Sequence, residues 1–294
     1  MRFDYDLYLM LVPMILCLIF FTYRPLESLI IAFKDYSPFM GVIKSPWVGF
    51  VHYQEFFSSP YAFRVIRNTL VLGLVTLIFG FPLPIMFALL LDNLKNGFFR
   101  KSIQTINFLP HFISSVIVCS MVINFLSPTT GVINTLITRM GGKPIYFLAK
   151  PNYFVPIYYF MTIWRETGYN SIIYISALTA IDMNLYEAAT VDGAGKWKQL
   201  TSITLPSLKP TIIIMLLIQL GSILNVSYET IILLYNPSIY ETADVISSFV
   251  YRVGMQQGRY DYATAVDLLN SFISFALIFG ANKISKKVSD ISLW

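Results

Sequence analysis

The sequence predicts an all-α, polytopic membrane protein of six transmembrane helices, on three observations. Hydrophobic residues make up 56% of the 294 positions and charged residues only 13%, whereas a soluble domain carries about 25% charged residues. The apolar residues fall into blocks of about 20, the length that crosses about 30 Å of hydrocarbon as a helix. The net charge of +5 fits Lys and Arg that flank spans and face anionic lipid, and does not call for nucleic acid as a partner.

The first block, Tyr8–Ile31, follows the short polar stretch Met1-Arg2-Phe3-Asp4-Tyr5-Asp6. It is too long for a removable signal peptide and lacks the small-residue cleavage site, so a retained helix is expected. Its Arg24 and Glu27 stand three residues apart, and a local pair on one helix face is the simpler account. The next blocks are Thr69–Leu91, Ile103–Leu126, Tyr153–Ile181, Thr211–Tyr235 and Ala263–Lys283. Pro13, Pro25, Pro82, Pro84 and Pro110 lie inside them, tolerated in a bundle where neighbours or water satisfy the freed carbonyls. Cys17 and Cys119 both sit in apolar blocks and read as small packing residues rather than a disulfide framework. The connecting segments 32–68 and 127–152 have room for short surface helices. Phe50, Tyr53, Phe56 and Phe57, beside Trp47, are expected as headgroup-level anchors.

Orientation follows from cations in the connections. With the N-terminus inside, the inner segments hold Arg2, Lys95, Arg100, Lys101, Lys196, Lys198, Lys209, Lys283, Lys286 and Lys287. The outer segments hold Lys34, Lys44, Arg64, Arg67, Arg139, Lys143, Lys150, Arg252 and Arg259. The totals are close, but the inner segments are shorter, and cationic density favours both termini in the cytoplasm.

The stretch EAATVDGAGKWKQLTSITLPSLKP, from Glu187, is the polar, Gly-punctuated run in this half of the chain. Leu185, Tyr186, Ala188 and Ala189 lie on one side of a first short helix. Gly193 and Gly195 then permit a turn that residues with a Cβ resist. A second helix from Lys196 to Leu205 places Trp197, Leu200, Ile203 and Thr204 on one side, and Pro206 and Pro210 are expected to end that turn and restart the chain toward the membrane. The result is a helix–turn–helix knob with an apolar side and two carboxylates, Glu187 and Asp192, for a basic partner. An ordinary interfacial loop capping the bundle is the other reading of this composition.

Spacing separates these readings. Glu187-Ala188-Ala189, Asp192-Gly193-Ala194, Ile203, Leu205-Pro206 and Pro210 resemble the EAA loop of binding-protein-dependent ABC import permeases. Trp47-Val48-Gly49-Phe50 with Tyr53, and Arg67-Asn68-Thr69-Leu70, look like the lead into the core spans of maltose-type sugar permeases. Phe99-Arg100 before Phe108-Leu109-Pro110, and Trp164 with Gly168, Ala177-Leu178, Ile181 and Tyr186, extend the likeness. Tyr251-Arg252, Gly254, Tyr260, Ala263, Ala265 and Leu293-Trp294 look like the subgroup for complex oligosaccharides.

The resemblance implies a single permease domain over residues 1–294 with the type I ABC importer permease fold, in a bacterial cell membrane. It makes the loop at about 184–210 the coupling helix, seated in a separate ATPase subunit. Glu187, Ala188, Ala189, Asp192, Gly193, Ala194, Trp197, Leu205 and Pro206 are the residues it assigns to that contact. It implies two ATPase subunits, a second homologous permease, and a sugar-binding lipoprotein or periplasmic binding protein. The sequence contains no G-x-x-x-x-G-K-[ST] run; Gly141-Gly142-Lys143 lacks the spacing and the hydroxyl. The chain is therefore expected to be no enzyme and to bind no cofactor, with ATP and Mg held by the partner ATPase.

Polar clusters in the spans are candidates for the solute path. One is Trp164, Arg165, Glu166, Thr167, Tyr169 and Asn170 in the fourth block, and another is Asn225, Ser227, Tyr228 and Glu229 in the fifth; the alternative for both is polar glue between helices. The resemblance favours the fifth-span group. No metal site is expected, because His52 and His111 have no ligand-type neighbours in sequence. A gradient-driven transporter predicts inverted repeats with paired acids at mid-depth, which are not evident; a permease for a non-sugar solute stays open.

Overall fold

The computed structural model describes residues 5–94, 97–289 and 292–293. Arg2, Lys95 and Trp294, used above for orientation and family pattern, lie outside the described residues. In chain order the principal helices are α1 (Tyr8–Phe33), α2 (Ala62–Asp92), α3 (Gly97–Phe112), α4 (Ser115–Leu126), α5 (Pro151–Thr179), α6 (Met183–Val191), α7 (Lys196–Gly221) and α8 (Tyr260–Lys287). Helices α1, α2, α7 and α8 are each long and apolar enough to cross a membrane, and α3 with α4 qualifies as a pair bent by 98°. Helix α5 has 29 residues, about 43 Å of length, but its tyrosines and its Arg165-Glu166 pair make it more polar. This set is compatible with six crossings.

Three departures from the expected spans share a physical theme. Each concerns where a proline or a glycine lets the backbone leave the regular ladder. The expected third span, Ile103–Leu126, is two helices: Pro110 sits in a short 3-10 turn, Leu109–Phe112. Ser114 then caps α4, its hydroxyl accepting from the Ile117 amide at 3.4 Å. The expected fifth span, Thr211–Tyr235, stops at Gly221, and a separate helix, Tyr228–Leu234, follows. A Cβ on Gly221 would lie 2.7 Å from Ile278 Cδ1, and one on Gly73 would lie 2.2 Å from the Ile223 carbonyl oxygen. The non-helical piece after Gly221 is thus seated by backbone contact at Gly73, which a regular helix would not permit.

Pro206 and Pro210 also act otherwise than expected. They do not end a helix; α7 runs through both, from Lys196 to Gly221. A π turn, Leu200–Thr204, lies just before Pro206. The same arrangement recurs at Leu18–Tyr23 before Pro25 and at Thr76–Gly80 before Pro82. A proline ring clashes with the carbonyl four residues earlier. Here those carbonyls belong to Phe21, Ile78 and Ser202, each inside the widened turn, where the ladder has room for the ring.

The chain folds as two compact units, Met1–Val65 with Ile246–Phe272, and Ile66–Val245 with Ile273–Trp294. In the first unit the short helix Val51–Ser58 buries His52 and Phe56. Phe56 packs against Phe249 at 6.0 Å between ring centres. It turns inward, whereas Trp47, Phe50 and Phe57 stay exposed as expected of anchors. His52 Nε2 lies 2.9 Å from the Lys34 carbonyl, and Arg259 donates to both oxygens of Glu55 at 2.6 Å.

The second unit has two apolar clusters strung along α5. Phe154, Tyr158 and Met161 pack with Leu72, Val118 and Ile231 at one end. Tyr174, Ile175 and Leu178 pack with Ala88, Leu91 and Leu208 at the other. Lipid tails are as apolar as leucine, so helices in a bilayer associate by close packing at small residues. Gly168 provides the tightest such approach: a Cβ there would sit 2.0 Å from the Asn107 carbonyl oxygen. The stretch of α5 between the clusters is left to face open space.

Candidate functional site

That stretch lines a cavity of about 450 Å³. Tyr158, Thr162, Glu166, Asn170 and Tyr174 face it from α5, and their four-residue spacing puts them on one helix side. Helix α2 contributes Thr76, Gly80, Phe81 and Pro84, so its π turn forms part of the wall. Helix α7 contributes Met215 and Gln219, and the turn beyond it supplies Ser222, Asn225 and Ser227. Hydroxyls, amides, aromatic rings and one carboxylate converge on a space the size of a small-molecule site.

Of the sequence-predicted cluster residues, Glu166, Thr167, Asn170, Asn225 and Ser227 line this cavity, and Trp164, Arg165, Tyr169, Tyr228 and Glu229 do not. Trp164 is exposed. Tyr228 and Glu229 begin the helix Tyr228–Leu234 and are also exposed. Arg165 and Tyr169 instead meet the break between α3 and α4. Arg165 Nη1 donates to Ser115 Oγ at 2.8 Å, and Tyr169 stacks on His111 with ring centres 3.7 Å apart. His111 Nδ1 lies 2.9 Å from Glu166 Oε2. His111, which has no carboxylate beside it in sequence, thus contacts one that is 55 residues away in the chain.

Tyr158, Tyr159, Thr162, Thr76 and Gln219 were missed. The signal for two of them, Tyr158 and Thr162, lies in the sequence: polar or hydroxylated residues recur every four positions along Tyr158–Tyr174. Arg165 and Tyr169 belong to a neighbouring side of the same helix. Charge marked both Arg165, which turns away, and Glu166, which lines the cavity. Among the described residues no group of three or more His, Cys, Asp or Glu is placed to hold a metal ion.

The polar knob is built locally. Asp182 caps α6, accepting from the Asn184 amide at 2.9 Å. At its other end Gly193 adopts φ +79°, with Gly193 N–H donating to the Thr190 carbonyl at 3.1 Å and Ala194 N–H to the Ala189 carbonyl at 2.8 Å. This is the glycine-dependent Schellman ending of a helix. Gln199 Nε2 then ties the start of α7 back, donating to Thr190 Oγ1 at 3.0 Å and to the Ala194 carbonyl at 3.1 Å. The Tyr186 and Thr204 hydroxyls meet at 2.9 Å.

What the knob leaves open is apolar and acidic together. Met183 is 67% exposed, Val191 88% and Trp197 76%, while Glu187, Ala188 and Asp192 are also exposed. Ala189 and Ala194 are half-buried in the joint, and Leu205 and Pro206 lie on the exposed side of α7. Large apolar side chains grouped in this way mark an interaction surface. Trp197 and Gln219 belong to one unbroken helix, and the rise per residue separates them by about 33 Å. The knob and the cavity wall are therefore two ends of one rod.

Comparison with known proteins gives a consistent result. Residues 80–284 match the family described as binding-protein-dependent transport system inner membrane component. Protein LplB of Bacillus subtilis (strain 168) is 43% identical over 99% of this chain and 92% of its own length. The polygalacturonan/rhamnogalacturonan transport system permease protein YteP of the same organism is 40% identical, over 98% of this chain and 90% of its own. A chain in the crystal structure of a bacterial alginate ABC transporter, in complex with an alginate pentasaccharide-bound periplasmic protein, superposes with a TM-score of 0.90. It is 44% identical, with 99% of this chain and 97% of that chain covered.

Proposed function

We infer the role of this chain from its family: it belongs to the binding-protein-dependent transport system inner membrane components, and it is a non-catalytic permease subunit of a sugar-importing ABC transporter. In our reading the whole chain acts as one permease domain with both termini in the cytoplasm. The knob at α6 and the start of α7 then faces the cytoplasm. The cavity beside α5 forms this subunit's share of the glycan path. The cargo is a complex oligosaccharide of the pectin or alginate kind, as the names of its relatives suggest.

The observation that carries this reading is the continuity of α7 from Trp197 to Gln219. A partner that grips the knob moves the cavity wall with it, because one continuous helix, its π turn at Leu200–Thr204 included, joins the two. Glu187 and Asp192 offer carboxylates to a basic cleft, and Met183, Val191 and Trp197 offer apolar anchors of the kind that dominate interfaces. ATP and Mg belong to that partner. A second, similar permease closes the other half of the path, and an extracytoplasmic binding protein delivers the oligosaccharide.

The test is gentle extraction of the tagged chain from its native membrane, with mass spectrometry of what accompanies it. An ATPase, a second six-span permease and a sugar-binding protein are expected together. A chain that emerges alone and moves solute without ATP after reconstitution overturns the reading.

A further inference from the structure

The break between α3 and α4 has a consequence for the cavity. Pro110 ends the regular helix, and the 3-10 turn that follows swings His111 and Phe112 toward α5. Gly168 is what lets the end of α3 come so close, since any side chain there would collide with Asn107. His111 therefore lies flat on Tyr169, the rings within 5° of parallel, with its Nδ1 2.9 Å from Glu166 Oε2. On the other oxygen, Arg165 Nε approaches Glu166 Oε1 at 3.5 Å, and Ser115 holds the same guanidinium from α4. Among His111, Ser115, Arg165, Glu166 and Tyr169, Glu166 alone lines the cavity.

A bare carboxylate would repel an anionic glycan and would change rotamer freely. Here one guanidinium cancels its charge, and an imidazole N–H fixes one oxygen from behind. The carboxylate keeps lone pairs on its cavity side, because two oxygens offer about four acceptor positions. We propose that His111 and Arg165 are positioning residues that hold the Glu166 carboxylate as a charge-compensated acceptor for glycan hydroxyls inside the cavity. The proposal rests on the preceding reading that this cavity carries sugar. It adds what reads the sugar there: sugar hydroxyls rather than sugar carboxylates meet Glu166, so a uronate is admitted through its ring hydroxyls.

The test uses the whole importer in proteoliposomes, with its co-purifying binding protein in excess and radiolabelled trigalacturonate as the probe. The readout is trigalacturonate moved per ATP hydrolysed, which a general loss of folded complex does not change. His111→Phe keeps the stack on Tyr169 and loses the donor; His111→Asn loses the stack and keeps an N–H near the Nδ1 position. A hydrogen bond to a charged group predicts that His111→Phe lowers the ratio by about tenfold, with His111→Asn within about twofold of wild type. Glu166→Gln falls at least as far as His111→Phe, and the double variant His111→Phe/Glu166→Gln falls no further than Glu166→Gln, as members of one unit do.

A wild-type ratio in His111→Phe, an Asn variant as impaired as the Phe variant, or a double variant in which the two losses multiply overturns the positioning role. The sugar-import reading survives each of these outcomes. A wild-type importer that moves no trigalacturonate instead overturns the pectin-type cargo and this assignment with it.

Discussion

The knob and the cavity wall share helix α7 and are held by opposite means. The knob closes on itself: its hydrogen bonds join residues no more than 18 positions apart, as between Tyr186 and Thr204. The cavity wall is assembled from a distance. His111 reaches Glu166 across 55 positions and Arg165 reaches Ser115 across 50. The difference teaches that the knob can be rigid without the bundle, whereas the cavity exists only when the bundle is packed. The role proposed above uses this division: in it the cavity rearranges while the knob acts as a rigid lever.

The comparison is broken most directly at Gly168. Replacing it with Val puts a Cβ 2.0 Å from the Asn107 carbonyl oxygen, and overpacking of this kind costs about 3 kcal/mol. A Tm measured in detergent falls sharply, and the α3 end moves off α5. A Gly168→Val chain with a wild-type Tm would mean that the approach of α3 to α5 is not what builds the cavity.

At the knob the largest effect is on binding, not folding. Trp197→Ala removes an exposed ring without a folded-state cavity. It is expected to weaken ATPase association by about 2 kcal/mol, roughly 30-fold, at an unchanged Tm. Titration of the detergent-solubilised permease against the ATPase measures it; a lowered Tm would show that Trp197 serves the bundle. Gly193→Ala is next. Its φ of +79° costs a residue with a Cβ about 1 kcal/mol, and limited proteolysis is expected to cut the joint between α6 and α7 faster while α5 stays protected. Equal protection of both would erase the contrast drawn here.

The smallest effect lies in the other compact unit, at Glu55 and Arg259. Their contact spans 204 positions, so it is long-range like the cavity contacts but exposed like the knob. The Arg259 guanidinium bonded to Glu55 holds its carboxyl below the ordinary value of 4.5. A depressed folded-state value means that the stabilisation is present above the ordinary glutamate range and is lost as pH falls through the lowered value. Both side chains are more than 40% exposed, so solvent screening limits the gain to about 0.5 kcal/mol. Glu55→Gln is expected to lower Tm slightly at neutral pH and not at all in acid. A loss that persists in acid would assign the effect to packing.

How much of this was legible depended on whether a contact is made within one helix turn or between helices. The spans, the knob, the turn at Gly193 and the family likeness follow from periodicity, hydropathy and local spacing, which chain neighbours fix among themselves. The retention of Pro206 and Pro210 inside α7 did not follow. A π turn that absorbs a proline carries no composition signature. The bend at Pro110 and the end of α7 at Gly221 likewise depend on what packs there, namely Gly168 against Asn107 and Gly221 against Ile278.

By itself, then, the sequence determined that this chain spans a membrane and carries a short helix–turn–helix knob. Hydrocarbon thickness sets the length of a span, and helix-end chemistry sets the shape of a short knob, each within one segment. Only the tertiary structure decided that Glu166 rather than Arg165 faces the cavity, that His111 stands behind it, and that Tyr228 and Glu229 do not line it. A helix has every side occupied by some residue, and which side meets the open space is chosen by the neighbours that cover the others.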